Sequence, residues 1–342
     1  VCNKLWTYGF IAVGIVVLIE SCAKEQLPSI EVKEDLEETL TRVPEGFDSI
    51  AFPVDNRFSL SKWQIGKKLF YDPALSRDFT ISCASCHKQD LGFADDVPVT
   101  PGVDNNASER NSPTLANVAF HPYFTREGGV PTLEMQVLVP IQEHSEMDFN
   151  IVEICDRLNQ YSEYVEMAKE AFGTEITPLA VTRALATFER TLISGNSAYD
   201  KFLRNEGTLT KSQIRGMELF KSDRANCASC HSGFNFTDYS IRNNGYESGD
   251  IGKMRLTADS ADYSLFKVPT LRNVALTAPY MHDGSFSSLH QVLEHYNAGG
   301  ISDSKDPLIK PLNLNEQEIN DLVSFLESLT DQEFISNKNF QE

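Results

Sequence analysis

Apolar positions along this chain recur mostly at intervals of three or four, a spacing that gathers them on one face of an α-helix. It predicts helices over 60–71, 151–172, 179–194, 210–221, 289–296 and 315–329. Leu314-Asn315-Glu316-Gln317-Glu318 reads as a capped helix start, with acid placed where the first N–H groups lack partners. No stretch alternates apolar and polar residues long enough to predict a substantial strand. The pattern predicts a mainly α protein with long irregular loops. Residues 23–46 are polar and acidic (Glu31, Glu34, Asp35, Glu37, Glu38), and read as a tether with one or two helical turns.

The same pattern occurs twice. Gln64-Ile65-Gly66-Lys67-Lys68-Leu69-Phe70 is echoed by Gln213-Ile214-Arg215-Gly216-Met217-Glu218-Leu219-Phe220. Pro113-Thr114-Leu115-Ala116-Asn117-Val118-Ala119 is echoed by Pro269-Thr270-Leu271-Arg272-Asn273-Val274-Ala275. Thr132-Leu133-Glu134-Met135-Gln136-Val137-Leu138 is echoed by Ser288-Leu289-His290-Gln291-Val292-Leu293. Three blocks in one order mean a duplicated unit. The expected domains are 47–205 and 206–335, divided at the polar break Asn205-Glu206-Gly207.

Between the first two blocks each half carries one motif: Cys83-Ala84-Ser85-Cys86-His87, and Cys227-Ala228-Ser229-Cys230-His231. C-x-x-C-H is the attachment signature of c-type haem. Two thiols at that spacing reach the vinyl groups on one porphyrin edge, and the following His lies under the iron as proximal ligand. Zinc ribbons need a second ligand pair beside each CxxC, and redox CxxC pairs need a βαβ setting. The fold expected is therefore two cytochrome c-type haem domains related by duplication, holding two covalent haem c groups.

Composition narrows the partners. The net charge of −19 argues against nucleic acid and anionic membrane surfaces, and suits a basic redox partner. Seven cysteines comprise the four haem thiols, Cys2 and Cys22 near the N-terminus, and Cys155 on the apolar face of its helix. Cys155 reads as a buried, inert thiol. Lys4 followed by the uncharged apolar run Leu5–Ile19 reads as an export signal, since the run is shorter than the about 20 residues a bilayer span needs. Ser21-Cys22 resembles a lipoprotein cleavage site, although Glu20 departs from its small-residue pattern. The expectation is a signal segment over 1–22 and a body on the periplasmic side, anchored through a lipidated Cys22 or a plain N-terminal anchor.

The two haem sites differ in what can face the iron opposite His87 and His231. Near the second, Met281, His295 and Tyr296 are all chemically able ligands. Near the first, Pro122-Tyr123-Phe124-Thr125-Arg126-Glu127-Gly128-Gly129 has no ligand to match Met281 and His282, and Tyr296 finds its counterpart near Ile141. Just beyond lie Gln136, Gln142, Glu143, His144 and Glu146. An open iron beside a carboxylate and an amide suits peroxide chemistry, because the carboxylate can shuttle a proton between the two oxygens. Glu143 and Glu146 could equally be solvated loop charges.

With these residues the chain resembles the bacterial dihaem cytochrome c peroxidase/MauG family over about residues 47–335. The resemblance rests on both CxxCH sites, Arg110-Asn111-Ser112-Pro113-Thr114-Leu115, Gln136 with Pro140 and Glu146-Met147, and Pro279-Tyr280-Met281-His282-Asp283-Gly284. It implies that the first haem is peroxidatic, with Gln136 and catalytic Glu146 above it. It implies a calcium ion on Asn111 and the carbonyls of Thr277 and Pro279, a chemistry that suits oxygen donors. It also implies a small donor protein, a cytochrome c or copper protein, and a frequent homodimer. Three departures stand out. Val103 occupies the position of the family's blocking distal His, so the first iron is expected open in the oxidised enzyme. Tyr296 stands where many members have the Met ligand of the second haem, as in MauG, with Met281 or His295 as rivals. Arg126 lies where the family has an inter-haem Trp, and Tyr123, Phe124 or a direct path is the alternative electron route. Reduction of hydrogen peroxide is the leading expectation, and a MauG-like oxidase acting on a protein or organic substrate the alternative.

Overall fold

The computed structural model describes residues 35–342, so the signal segment, Cys22 and most of the tether lie outside the described residues. Every predicted helix is present. The first runs Leu60–Tyr71 as expected. The stretch over 151–172 is two helices, Ile151–Leu158 and Ser162–Phe172. The break has a cause outside the periodicity: the Asn159 amide donates to the Ile176 carbonyl and accepts from its N–H, at 3.0 and 2.9 Å. Pro178–Glu189 starts on a Thr177 cap with proline in its first turn, where no N–H is needed. Lys211–Lys221, Leu289–Ala298 and Glu316–Glu327 follow, the last closed by the Asn315/Glu318 capping box. Ile241–Arg242 and Phe266–Lys267 form one short antiparallel pair.

Duplication is visible in the packing. Leu60–Tyr71 crosses Pro178–Glu189, and Lys211–Lys221 crosses Glu316–Glu327. Each crossing is made at a glycine. A Cβ on Gly66 would lie 2.0 Å from the Ala184 carbonyl oxygen, and one on Gly216 1.9 Å from that of Asp321. Asn117 and Asn273, both left-handed, open equivalent short turns at Val118–Phe120 and Val274–Leu276. The bridges Phe124–Val130 and Tyr280–Phe286 enclose equivalent loops, with Thr125 (φ 64°) matching Met281 (φ 72°) and Gly128 matching Gly284. That register pairs Arg126 with His282. It also pairs Tyr296 with Pro140, correcting the expected counterpart by one residue from Ile141.

The apolar core divides differently from the expected domain bounds. One cluster contains Trp63, Leu69, Phe70, Phe93, Val103, Ile141, Ile154 and Phe188. Leu36 and Leu40, expected in the tether, join it, as do Phe334 from the end of the expected second domain and Phe340 from beyond it. Phe93 meets Phe334 at 5.4 Å between ring centroids, and the Gln89 amide donates to the Phe334 and Asn337 carbonyls. The other cluster contains Tyr199, Phe220, Phe236, Leu293, Leu322 and Phe325. Packing therefore changes sides at Tyr199, ahead of the polar break at Asn205, and the tail returns to the first domain. Cys155 is buried in the first cluster, and burial pushes its thiol up to about 11.

Candidate haem and peroxide sites

Both CxxCH motifs fold as a single helical turn, with the His N–H donating to the carbonyl of the first Cys at 3.0 Å (His87) and 2.9 Å (His231). The turn puts the two thiols and the imidazole on one side. His87 Nδ1 is tied to the Phe93 carbonyl and His231 Nδ1 to the Phe236 carbonyl, both at 3.0 Å. That bond fixes the tautomer and leaves Nε2 as the coordinating nitrogen. Burial lowers the pKa of both imidazoles, which keeps them neutral. Cys83, Cys86, Cys227 and Cys230 form no disulfide. The donor set fits covalent haem in both halves.

In the first half, two groups stand without ordinary partners. Gln136 Oε1 is buried with no hydrogen bond. Glu146 makes no side-chain hydrogen bond among the described contacts, and its carboxyl is pushed up to about 7, first by burial and then by the charge of Glu143. It lies near Cys86, whose thiol is pushed up to about 12 by burial and next by Glu146. Its backbone is fixed by Val103, whose N–H donates to the Glu146 carbonyl at 2.8 Å. Gly102 permits this approach, since a Cβ there would sit 2.1 Å from the Ser145 carbonyl oxygen. The Val103 side chain is wholly buried in the core and offers no ligand atom. Glu143 is exposed and holds Ser145, while His144 is 91% exposed and paired to Asp148. Of the two, Glu146 is thus the carboxyl close to the Cys86 thiol.

Gln136 is positioned from behind. Its helix, Leu133–Gln136, carries Glu134, which takes both guanidinium nitrogens of Arg190 at 2.6 and 2.9 Å. The next residue back, Glu189, escaped the sequence reading. It is 7% exposed, has no hydrogen-bond partner among the described contacts, and adds negative charge near Cys83. Burial pushes its carboxyl up to about 8, against the lowering effect of Arg190. The Gly66 and Gly216 crossings match Phe188 with Phe325, so Glu189 matches buried Leu326. An acid directly after the mostly apolar run Leu185-Ala186-Thr187-Phe188 was the available signal.

Around the second motif, Met281 Sδ and Tyr296 Oη converge on one amide, Asn244 Nδ2, at 3.4 and 3.5 Å. Burial pushes the Tyr296 phenol up to about 12, opposed by the Asn244 bond and reinforced by charge at Cys227 and Cys230. Tyr296 and Met281 therefore share the neighbourhood of the haem thiols. His295 does not: its Nε2 is engaged at 3.0 Å with the Asn244 carbonyl, and its ring packs against Tyr246 and Phe286. Asn244 had no sequence signal, being one polar loop residue among many. Of the alternative electron routes, Phe124 is buried against Val118, Leu133 and Ala186, while the Tyr123 hydroxyl donates to the Tyr239 carbonyl.

Of Asn111, Thr277 and Pro279, the expected calcium ligands, Asn111 bonds across the junction between the two halves. Asn111 N–H donates to the His282 carbonyl at 2.9 Å, and its Nδ2 donates to the Val97 carbonyl at 3.1 Å. Its Oδ1 and its carbonyl both accept from the Arg126 guanidinium, at 3.3 and 2.6 Å. The side-chain oxygen meant for calcium is thus already facing a cation.

Comparison with known proteins agrees with this geometry. Residues 60–208 match the di-haem cytochrome c peroxidase family and residues 214–330 match cytochrome c. The chain is 38% identical over 292 residues to the methylamine utilization protein MauG of Methylorubrum extorquens, covering 82% of each chain. It is 34% identical over 276 residues to the cytochrome c551 peroxidase of Nitrosomonas europaea, covering 78% of this chain and 79% of that one. A solved MauG-like protein associated with microbial copper homeostasis superposes with a TM-score of 0.84 at 32% identity, over 87% of this chain and 97% of its own. The chain belongs to the dihaem cytochrome c peroxidase/MauG family. It is an oxidoreductase built from two cytochrome c-type domains with two haem c groups.

Proposed function

We propose that this protein reduces hydrogen peroxide to two waters at the first haem site, taking two electrons from a small redox protein through the second and two protons from solvent. The observation carrying this reading is Glu146: a half-buried carboxyl with a raised pKa close to the Cys86 thiol, in a half of the chain that also holds a buried, unpartnered Gln136 Oε1. Haem at each CxxCH supplies an iron that accepts and passes single electrons. The chain supplies the rest. Ionised Glu146 takes the proton from the near oxygen of peroxide and returns it to the departing one. Gln136 Oε1 accepts the hydrogen bond that orients the molecule. Val103 leaves the face free of a competing side-chain ligand. The test is E146Q in the haem-loaded protein. Peroxidase turnover should fall about 10²–10⁴-fold while both haem spectra persist; undiminished turnover would falsify the role.

One observation favours the second reading, a MauG-like oxidase. Tyr296, a hard oxygen donor, converges with Met281 near the second haem thiols. If it acts there, peroxide alone should leave a long-lived spectral change in both haems without any donor, and Y296F should abolish it.

This reading also places the protein outside the cytoplasmic membrane, tethered through Cys22. Among the described residues, no helix is long and apolar enough to cross a membrane. The expected calcium has no part in the reading, because Asn111 Oδ1 is turned to Arg126.

A further inference from the structure

We infer that the cation at the domain junction is the guanidinium of Arg126, and that this chain binds no calcium at Asn111. Three observations lead there. The first is the hydrogen bonding. Asn111 has one side-chain oxygen, and both it and the residue's carbonyl accept from Arg126. The amide cannot turn this oxygen elsewhere, because its Nδ2 holds the Val97 carbonyl.

The second is charge. Neighbouring Arg110 is spent on acids: it pairs with Glu127 and takes both oxygens of Asp250, at 2.7 and 2.9 Å. Among the described residues Arg126 has no such carboxylate partner: its side chain donates only to Asn111, and its Nε is buried without a hydrogen bond. A buried cation whose partners are neutral oxygens has the role that a metal would have. A divalent ion on the same Asn111 oxygen would face this guanidinium across a few ångströms of poorly solvated interior, where like charges repel strongly. Glu127, Asp250 and Asp283 act on Arg126 from further away, and none of them bonds to it.

The third is connectivity. Asn111 reaches the first domain through Val97 and the second through His282, and Arg126 itself accepts the Lys267 N–H on its carbonyl at 2.6 Å. Arg126 occupies the register position matched by His282 in the other half, so the junction is bridged by paired loops of the duplicated unit. The arginine therefore does by side chain what a bound ion does by coordination: it holds Asn111 and the facing loops together.

The experiment uses the haem-loaded chain. Metal content is measured by mass spectrometry after dialysis against calcium and after EGTA, with the melting temperature and haem spectra recorded for each. The expected result is no stoichiometric calcium, and unchanged melting temperature and spectra after EGTA. One tightly held calcium per chain, or spectra that collapse in EGTA and return with calcium, would overturn the inference. As a second arm, R126Q should lower the melting temperature by at least about 3 °C. A variant melting like the parent would overturn the bridging role, and if R126Q does not fold, the wild-type metal measurement alone decides.

Discussion

A carboxyl that titrates near neutrality can accept and return a proton under working conditions, whereas an ordinary glutamate is almost wholly ionised there. Glu146, pushed up to about 7 by burial, is such a group. Below that pH it is neutral and cannot take the peroxide proton. Turnover should therefore fall as pH drops through about 7, and E146Q should lose this acid limb from its pH–rate profile. Glu189 makes a different prediction. Its folded pKa of about 8 lies above the usual glutamate value, so its share of stability is present below about pH 4.5 and is lost as pH rises through 8. E189Q should gain on the parent in melting temperature from pH 5 to pH 8; a constant difference would refute the burial argument. Haem attachment was legible in sequence because local spacing carries it, and the proposed roles of Gln136 and Glu146 rest on one family motif. Glu189 and Asn244 were not, since their meaning comes from neighbours more than 50 residues away, such as Tyr296 for Asn244.

Among elements, the two helix crossings are the parts least tolerant of change. Gly66 and Gly216 each stand where a methyl group would meet a carbonyl oxygen at about 2 Å. G66A and G216A should each cost at least about 1–3 kcal/mol, read as a lower denaturation midpoint at constant slope. A wild-type midpoint in either would show that the helices separate freely. Helix existence was readable because apolar spacing is local, and Leu60–Tyr71 fell where expected. The gap after Leu158 was not, because an amide side chain pairing with the distant Ile176 outweighs a continuous apolar stripe. The helix after Thr132 is likewise cut into Leu133–Gln136 and Leu138–Gln142, and Pro140, which cannot donate to the ladder, stands where the other half has Tyr296. That position in the first half therefore carries no side-chain donor atom.

At the scale of the molecule, a net charge of −19 sets up a field that draws in a basic donor and repels an acidic one. With a basic cytochrome c as donor, kcat/KM should fall steeply as salt is raised from 0.01 to about 0.15 M, while kcat changes little. A salt-independent kcat/KM would remove the steering argument. The return of the tail, from Asp331 onward, has another consequence. Asp331 accepts from the backbone of Gly195 and Asn196 at 2.9 and 2.8 Å, and Phe334 and Phe340 then cover Phe93 and Phe188. The first half to leave the ribosome is therefore the last to be finished. Until residues 331–340 have been added, the aromatic face of Phe93 and Phe188 stays open.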